Sequence, residues 1–283
     1  MTTELNVMAL EEKIRSLGYI PRRAEILALV AALLREGGPK VFLLEGPPGT
    51  GKTAFAEVVA KALEAHFVYT LLHSWSDDQE LFCGVNVVAA VKGEANEVEQ
   101  PGVLALAAQK SRQGLTVLCL DEVDKVQERT ENLLLDFLQT GRVPVGPGRH
   151  LQADLDNLLV FLTSNRTRPL GAALLRRCRR VQMVPLSRDL QEELIVSKTG
   201  APKGLVRVTL KVAHAMAQRE GREPLSLQEL TLLVRELLDV ARSAEDCRLI
   251  LGGWVSFEGQ LPSKADIAPL WGELSKIKRE EVR

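Results

Sequence analysis

Short, continuous apolar runs alternate with segments of helical hydrophobic spacing through the first two thirds of the chain. The apolar runs predict buried strands at 41–44, 67–72, 116–120, 158–163 and 180–184. The helical spacing predicts helices at 4–17, 24–35, 54–65, 103–113, 128–140 and 171–177. Strands that alternate with helices in this way are typical of a parallel sheet covered on both faces. We therefore predict an α/β fold with a doubly wound parallel sheet.

Two stretches interrupt this alternation. Residues 74–102 are irregular, and the apolar run at 85–91 within them is followed by Lys92, Gly93 and then acids, so we interpret them as a small hairpin that leaves the core. Residues 142–156 alternate weakly around a Gly-Pro-Gly turn at 146–148, which predicts a second hairpin.

The pattern changes character at Pro185 and Leu186. Ser187 is a suitable N-cap for a following helix. Helical spacing then dominates, with predicted helices at 188–198, 204–220, 226–243 and 265–278. We predict two domains, an α/β domain over 1–186 that includes the N-terminal helices and a smaller, all-helical domain over 187–283.

Composition narrows the choice of environment and partner. Lys and Arg number 36 against 37 Asp and Glu, for a net charge of -1, which gives no global attraction to nucleic acid or to an anionic membrane. The N-terminal stretch carries acids, and no run of about 18 uncharged apolar residues occurs, so we expect a cytoplasmic protein without a membrane span. The four cysteines are scattered and no His lies at ligand spacing, which indicates neither a zinc site nor a disulfide framework. Cys119 is expected to be a small core residue.

The most specific motif follows the first predicted strand. It consists of Gly46, Pro47, Pro48, Gly49, Thr50, Gly51, Lys52 and Thr53. A strand, a loop of the form Gly-x-x-x-x-Gly-Lys-Thr and a helix direct several backbone N–H groups at one point, which is a phosphate site. Lys52 adds a positive charge for the outer phosphates of a nucleoside triphosphate, and the Thr53 hydroxyl is the expected ligand of Mg²⁺.

Two acids end the predicted strand at 116–120. Asp121 then lies at the carboxyl edge of the sheet, where it can hold Mg²⁺ through water. Glu122 can polarise an attacking water. This pair favours hydrolysis of the bound nucleotide over binding alone.

A polar residue also ends the predicted strand at 158–163. Asn165 follows Thr163 and Ser164, so its side-chain amide is expected at the same edge of the sheet, where it can orient the attacking water. Without those partners, an Asn after a strand is more often a simple turn former.

An arginine-rich segment has three interpretations. Its members are Arg176, Arg177, Arg179 and Arg180, preceded by Arg166 and Arg168. They could form a nucleic-acid patch, a solvated face, or a source of one arginine that reaches the nucleotide of another subunit. The first interpretation is weakened because Arg176 and Arg177 end a predicted helix while Arg180 begins a strand.

These motifs, in their order and spacing, resemble the AAA+ ATPases from about residue 20 to the final helices. The resemblance rests on GPPGTGKT, LCLDE, the sensor-like Asn165 and the segment ALLRRC at 173–178. Within that superfamily the chain looks most like the MoxR and dynein-related branch. The stretch at 121–145, the excursion at 82–98 and the hairpin at 142–156 resemble the corresponding parts of that branch, the excursion matching its helix-2 insert.

The resemblance implies a P-loop AAA+ core with a helical lid, a Mg²⁺-dependent ATPase, and assembly of identical subunits into a ring, often a hexamer. By the family pattern Arg177 is the best match to the arginine that acts in trans, with Arg176 as its rival. Gln228 stands about where many relatives carry a sensor arginine in the lid. Arg235, two turns later, is more simply interpreted as solvated.

Three functions remain open at this stage. The leading one is a MoxR-type motor that remodels a protein partner, such as one with a von Willebrand A-type domain. The alternative is a motor for nucleic acid in restriction, replication or packaging, favoured by Arg142 and Arg149 in the second hairpin but disfavoured by the balanced charge. A nucleotide switch with little hydrolysis is the third, and the intact pair of Asp121 and Glu122 counts against it.

Overall fold

The computed structural model describes residues 7–85, 99–146, 148–219, 221–255 and 261–281. Its contacts divide the chain into two compact units. The first comprises Met1–Pro47 and Gly51–Met183, and the second comprises Pro48–Thr50 and Val184–Arg283. Among the described residues, no helix combines the length and the apolar character needed to cross a membrane.

The strands of the first unit contribute residues to both of its apolar cores. They are β1 Lys40–Glu45, β2 His66–Leu71, β3 Cys83–Val85, β4 Glu99–Pro101, β5 Thr116–Asp121, β6 Arg142–Gly146, β7 Arg149–Gln152, β8 Leu158–Ser164 and β9 Arg179–Gln182. The α-helices of this unit are α1 Val7–Ser16, α2 Arg23–Leu33, α3 Lys52–Ala62, α4 Asp78–Leu81, α5 Val103–Ser111, α6 Glu128–Thr140 and α7 Ala172–Leu175. A single 3₁₀ turn, Val123–Lys125, follows β5.

Five of these strands form one sheet in the order β2-β5-β8-β1-β9. Every neighbouring pair in it is parallel. The register places Glu45 of β1 beside Ser164 of β8 and Gln182 of β9, so these strands end together. The predicted parallel α/β sheet is confirmed, and its carboxyl edge collects the residues that follow β1, β5 and β8.

Both faces of the sheet are buried, because alternate side chains of each central strand enter different cores. Val41 and Leu43 of β1 pack with residues of α5 and α6, whereas Phe42 and Leu44 pack with residues of α1, α2 and α3. Cys119 of β5 is fully buried on the second of these faces, as predicted. Continuous apolar strands are what a sheet covered on both sides requires.

Two antiparallel pairs lie outside the main sheet. The strands β6 and β7 pair antiparallel with an irregularity between Pro144 and Gly146, which confirms the predicted second hairpin. The strand β3 pairs antiparallel with β4. The apolar run predicted at 85–91 lies largely outside the described residues, as does Pro147.

The second unit is helical in its described part, as predicted. Its helices are α8 Arg188–Thr199, α9 Lys203–Arg219, α10 Leu227–Asp239, α11 Ala244–Val255 and α12 Lys264–Glu281. Buried residues from all five form one apolar core. The Ser187 hydroxyl accepts the backbone N–H of Leu190 and so caps α8, in agreement with the sequence.

One helix of this unit was not predicted. The helix predicted at 226–243 is present as α10, which ends four residues earlier at Asp239, whereas no helix was predicted where α11 spans Ala244–Val255. Ser243 caps α11 by accepting the N–H of Asp246, and the Asp246 carboxylate accepts the N–H of Arg242. This Ser-x-x-Asp spacing is the sequence signal that could have located the helix. The adjacent Gly252 and Gly253 count against a helix in this segment, since paired glycines usually indicate a break.

Candidate functional site

The phosphate loop joins β1, which ends at Glu45, to α3, which begins at Lys52. Gly49 and Gly51 have φ values of +72° and +86°, in the left-handed region that residues with a Cβ rarely adopt. Gly51 is the N-cap of α3, and its carbonyl accepts the N–H of Phe55 at 2.8 Å. The free N–H groups of the first turn of α3 therefore face the loop, which makes this turn suited to an anion.

Gly46 starts the loop in a space that admits no side chain. A Cβ added at this position would lie 2.1 Å from the carbonyl oxygen of Met183. Met183 in turn donates its N–H to the carbonyl of Glu45 at 2.7 Å. The beginning of the loop is thus fixed against the chain that leaves β9.

Lys52 is buried, with 7% of its surface exposed. Its ammonium group donates to the carbonyls of Gly46 at 2.9 Å and Pro47 at 2.8 Å. Burial lowers the pKa of Lys52, against the opposite effect of the neighbouring carboxylates. A positive group that is held against the loop backbone can neutralise phosphate charge from within the loop.

Asp121 and Thr53 meet at the carboxyl edge of the sheet. The Thr53 hydroxyl donates to Asp121 Oδ1 at 2.9 Å. The same oxygen accepts the hydroxyl of Thr163, and Oδ2 accepts the hydroxyl of Tyr69 at 3.2 Å. A carboxylate and a hydroxyl at this distance are the hard oxygen donors that Mg²⁺ prefers. Within the described residues no group of three or more His, Cys, Asp or Glu could hold a metal ion. In proteins Mg²⁺ is usually held by one or two carboxylates together with phosphate and water.

Glu122 follows Asp121 in a left-handed backbone conformation, with φ 57° and ψ 46°. Its N–H donates to the Thr163 hydroxyl at 2.9 Å, which fixes the backbone there. The Asn165 amide donates to Glu122 Oε1 at 2.9 Å. The sequence predicted that Glu122 and Asn165 would lie at one edge, and the fold brings them into direct contact.

Asp124 is a site residue that sequence reasoning missed. It is 2% exposed and accepts the N–H of Asn165 at 3.2 Å and both the N–H and the hydroxyl of Thr167 at 2.7 Å. Although burial alone would raise the pKa of Asp124, the hydrogen bonds from Thr167 and Asn165 lower it below its usual range. Asp124 therefore holds the turn that carries Asn165. An acid two positions after Glu122 was the available signal.

Tyr19 was also missed. It lies between α1 and α2, outside both predicted helices, and its ring packs against Phe55 of α3 with centroids 5.5 Å apart. A Cβ on Gly51 would lie 3.3 Å from this ring. The N-terminal segment therefore packs over the start of α3, and its signal was a lone aromatic beside a Gly-Pro break.

Three of the arginines are paired with acids. Arg180 donates to the buried carboxylate of Glu45 at 2.8 Å, and Arg166 lies 3.7 Å from the same carboxylate. Arg168 pairs with the buried Glu131 at 2.9 Å. Since these three arginines face two carboxylates, only one net positive charge remains among them, which is little for a nucleic-acid patch.

The hydrogen bonds of Arg177 go to groups other than the acids of the site. It donates to the carbonyl of Ala173 at 2.8 Å and to Gln139 of α6 at 2.6 Å. Its Nε is buried without a hydrogen-bond partner in the described structure. The neighbouring Arg176 is exposed.

In the second unit, Gln228 is exposed on α10. Arg235, also exposed, donates to the carbonyl of Lys198 at the end of α8 at 3.0 Å. Arg235 thus contributes to a helix C-terminus of its own unit, where a positive charge is favourable.

Comparison with known proteins agrees with this arrangement. Residues 41–178 match the family model of the AAA domain (dynein-related subfamily). This match begins in β1 and ends one residue after Arg177, so it includes the phosphate loop, both acids and Asn165.

Similarity to individual proteins extends further along the chain. The chain is 29% identical over 235 residues to the chaperone protein ClpB of Pseudomonas putida, which covers 80% of this chain and 26% of that protein. It is 30% identical over 189 residues to ClpB of Vibrio cholerae, covering 66% and 21%. It is 26% identical over 180 residues to the Lon protease of Azorhizobium caulinodans, covering 61% and 20%.

The matched regions are therefore only about a fifth to a quarter of these relatives. The chain is thus similar to the AAA domain (dynein-related subfamily) over residues 41–178, and to segments of ClpB chaperones and Lon proteases over longer stretches.

Proposed function

We propose that the chain is a Mg²⁺-dependent ATPase that converts ATP and water to ADP and phosphate. The observation that carries this proposal is the contact of Asn165 with Glu122, directly beside the pair of Asp121 and Thr53. A protein that only binds nucleotide needs the phosphate loop. It has no use for a carboxylate and an amide that are held together at the same edge.

Each group has a role that follows from its position. The loop N–H groups and Lys52 would bind the phosphates, and the oxygens of Thr53 and Asp121 would hold the metal ion. A bound Mg²⁺ supplies neutralisation of the charge that develops on the phosphate oxygens. Glu122 accepts a proton from the attacking water at its carboxylate, and Asn165 orients that water.

We propose further that the chain works as a MoxR-type motor in a ring of identical subunits, with the two units as an AAA+ domain and a helical lid domain. The name of the matched family, dynein-related, supports the branch. Arg177 is the proposed trans-acting residue. It sits on the short connection between β8 and β9, apart from the Glu122 and Asn165 pair of its own chain, and an arginine in that role stabilises charge at a neighbouring phosphate.

A mixing experiment tests the ring and the role of Arg177 together. Glu122→Gln and Arg177→Ala should each hydrolyse ATP slowly while binding it normally. In an equal mixture, about a quarter of head-to-tail interfaces would combine an intact Glu122 with an intact Arg177, so activity should recover toward that fraction. Recovery would not occur if both residues act within one subunit, and that result would contradict the trans role. Arg176→Ala is the matched comparison.

The proposed client is a protein, such as one with a von Willebrand A-type domain. The similarity to ClpB, a chaperone protein, supports a protein client. The compensation of Arg166, Arg168 and Arg180 by acids also counts against a broad basic surface. Stimulation of ATP hydrolysis by a candidate partner, and its loss in a variant of the β6-β7 hairpin, would support remodelling.

A nucleic-acid motor is the second candidate, because one specific feature favours it. Arg142, Arg149 and His150 are all exposed on the β6-β7 hairpin. Stimulation of ATP hydrolysis by DNA that falls steeply as salt is raised would favour this function, because phosphate contacts release counterions. Stimulation that is absent, or unchanged between low and high salt, would favour the protein client.

A further inference from the structure

Glu45 is a buried carboxylate at the end of β1, directly before the phosphate loop. It is 6% exposed, yet the roles proposed above do not use it. Its Oε2 accepts the Nε of Arg180 at 2.8 Å, and its Oε1 lies 3.7 Å from the Nε of Arg166. Burying a carboxylate is unfavourable unless it is paired, so these two arginines account for its presence in this position.

Arg166 has an unusual backbone conformation that matters to its neighbour Asn165. Its φ is +62°, and a residue with a Cβ keeps such a conformation only when its surroundings hold it. Its N–H donates to the Ser164 hydroxyl at 3.0 Å, and its guanidinium donates to Gln182 as well as lying beside Glu45. The turn is therefore held at both its backbone and its side-chain end.

The space around this turn shows that charges, rather than apolar packing, hold the side chain. A cavity of about 530 Å³ lies here, and Glu45, Ser164, Arg166 and Arg180 are among the residues that line it. Close packing normally fixes a side chain by excluding other positions. Since the Arg166 side chain borders open space, its hydrogen bond to Gln182 and its ion pair with Glu45 determine where it lies.

We propose that Glu45 is a positioning residue for Asn165. Its carboxylate anchors Arg166, Arg166 keeps the left-handed turn, and the turn directs the Asn165 amide to Glu122. The same carboxylate binds Arg180, three positions after Arg177, so it also links the water-orienting turn to the arginine segment. The predicted effect on turnover rests on the proposed ATPase function. The anchoring of the turn by Glu45 does not depend on that function.

The test combines two independent measurements on the full chain. In Glu45→Gln, kcat for ATP hydrolysis should fall roughly 10- to 100-fold with little change in KM, because the Asn165 amide is misplaced. In the Asn165→Ala background, the same change should cause no further loss. If the two losses instead multiply, Glu45 does not act through Asn165 and the proposal is overturned.

Hydrogen exchange supplies the measurement that needs no activity. In nucleotide-free Glu45→Gln, the backbone amides of residues 165–167 should exchange faster than in the parent protein, and Glu45→Asp should restore part of the protection. Unchanged exchange in this segment overturns the proposal, even for a chain that does not hydrolyse ATP. If the parent hydrolyses no ATP but exchange rises as expected, the proposed function fails and the anchoring survives.

A matched control lies at the other end of β1. Lys40 is buried there and donates to the carbonyl of Asp156, whose carboxylate is 3.8 Å away. Asp156→Asn should alter stability without changing exchange at 165–167 or kcat. Should Glu45→Gln fail to fold, Gln182→Ala removes the other anchor of Arg166, and it should raise exchange in the same segment.

Discussion

The side-chain amide of Asn165 donates to the carboxylate of Glu122 over 2.9 Å, although the two residues follow different strands. Those strands, β8 and β5, are direct neighbours in the sheet. A base and a water-orienting amide in contact hold each other in one geometry. We therefore expect mutations of either residue to affect turnover more than nucleotide affinity.

Glu122→Gln is the most direct test of this pair. Glutamine keeps the shape and can still accept the Asn165 amide, but it cannot take a proton from water. We expect kcat to fall by roughly 100-fold or more with nucleotide affinity almost unchanged. Phosphate release and the binding of a fluorescent ATP analogue measure the two quantities. Glu128→Gln, at an exposed acid that begins α6, should leave both unchanged, and an active Glu122→Gln would exclude Glu122 as the base.

Thr163→Val tests whether one buried hydroxyl sets the position of both acids. This hydroxyl donates to Asp121 and accepts the N–H of Glu122, so valine removes both bonds without changing the volume. We expect the free energy of unfolding to fall by about 1–3 kcal/mol. Because both acids are displaced, we also expect weaker binding of Mg²⁺ and a lower kcat.

The matched control for that variant is Thr116→Val. Thr116 is fully buried at the opposite end of β5, and its hydroxyl donates to the carbonyl of Gly114. It should lower the free energy of unfolding but leave kcat alone. If both variants lower kcat equally, the loss is caused by a general loosening of the sheet and not by displacement of the two acids.

Gly46→Ala tests the tight start of the phosphate loop. The new methyl group would lie 2.1 Å from the Met183 carbonyl, so the loop or the end of β9 must shift. Such strain typically costs about 1–3 kcal/mol, and we expect nucleotide affinity to fall with the melting temperature. Gly253→Ala is the control, since its Cβ would meet nothing within 4 Å and a helical alanine is favourable. Normal nucleotide binding by Gly46→Ala would contradict the steric argument.

Asp124→Asn tests how the stability of the protein depends on pH. The pKa of Asp124 is lowered in the folded protein, so its ionised form adds stability above its unfolded pKa of about 3.9. That stability is lost as the pH falls through the lower, folded value. The variant should therefore be less stable than the parent at pH 7, by about 1–3 kcal/mol, and the difference should shrink under acidic conditions.

Chemical denaturation at several pH values measures this difference. Asp239→Asn, at an exposed position that ends α10, is measured beside Asp124→Asn as the control for replacing a surface carboxylate. A gap between parent and Asp124→Asn that stays constant as the pH falls would show that the charge of Asp124 is not what stabilises the turn.

The strands and the phosphate site were predictable because both depend on local sequence. The apolar runs gave β1, β5 and β8 nearly residue by residue, and the residues after each run then had to lie at one edge of the sheet. The contact between Glu122 and Asn165 follows from that edge.

Other parts of the site depend on contacts between segments distant in sequence. In the sequence Asp124 cannot be told from a surface acid, because its hydrogen bonds to Thr167 form only in the folded chain. No sequence motif marks Tyr19, and only its packing against α3 in the folded chain places it near the phosphate loop. The pairing of Glu45 with Arg180 joins residues 135 positions apart, and no local pattern records such a pair.

The place of β1 between β8 and β9 has a consequence for how the protein is made. Both hydrogen-bonding neighbours of β1 are synthesised long after the phosphate loop itself. A nascent chain that ends after β7 carries the complete loop sequence on an apolar strand with two open edges, a state in which chains aggregate readily. Such a chain also lacks Met183, against which Gly46 is fixed. The nucleotide site is thus expected to form late in synthesis, and fragments that end before β8 should neither bind ATP nor remain dispersed.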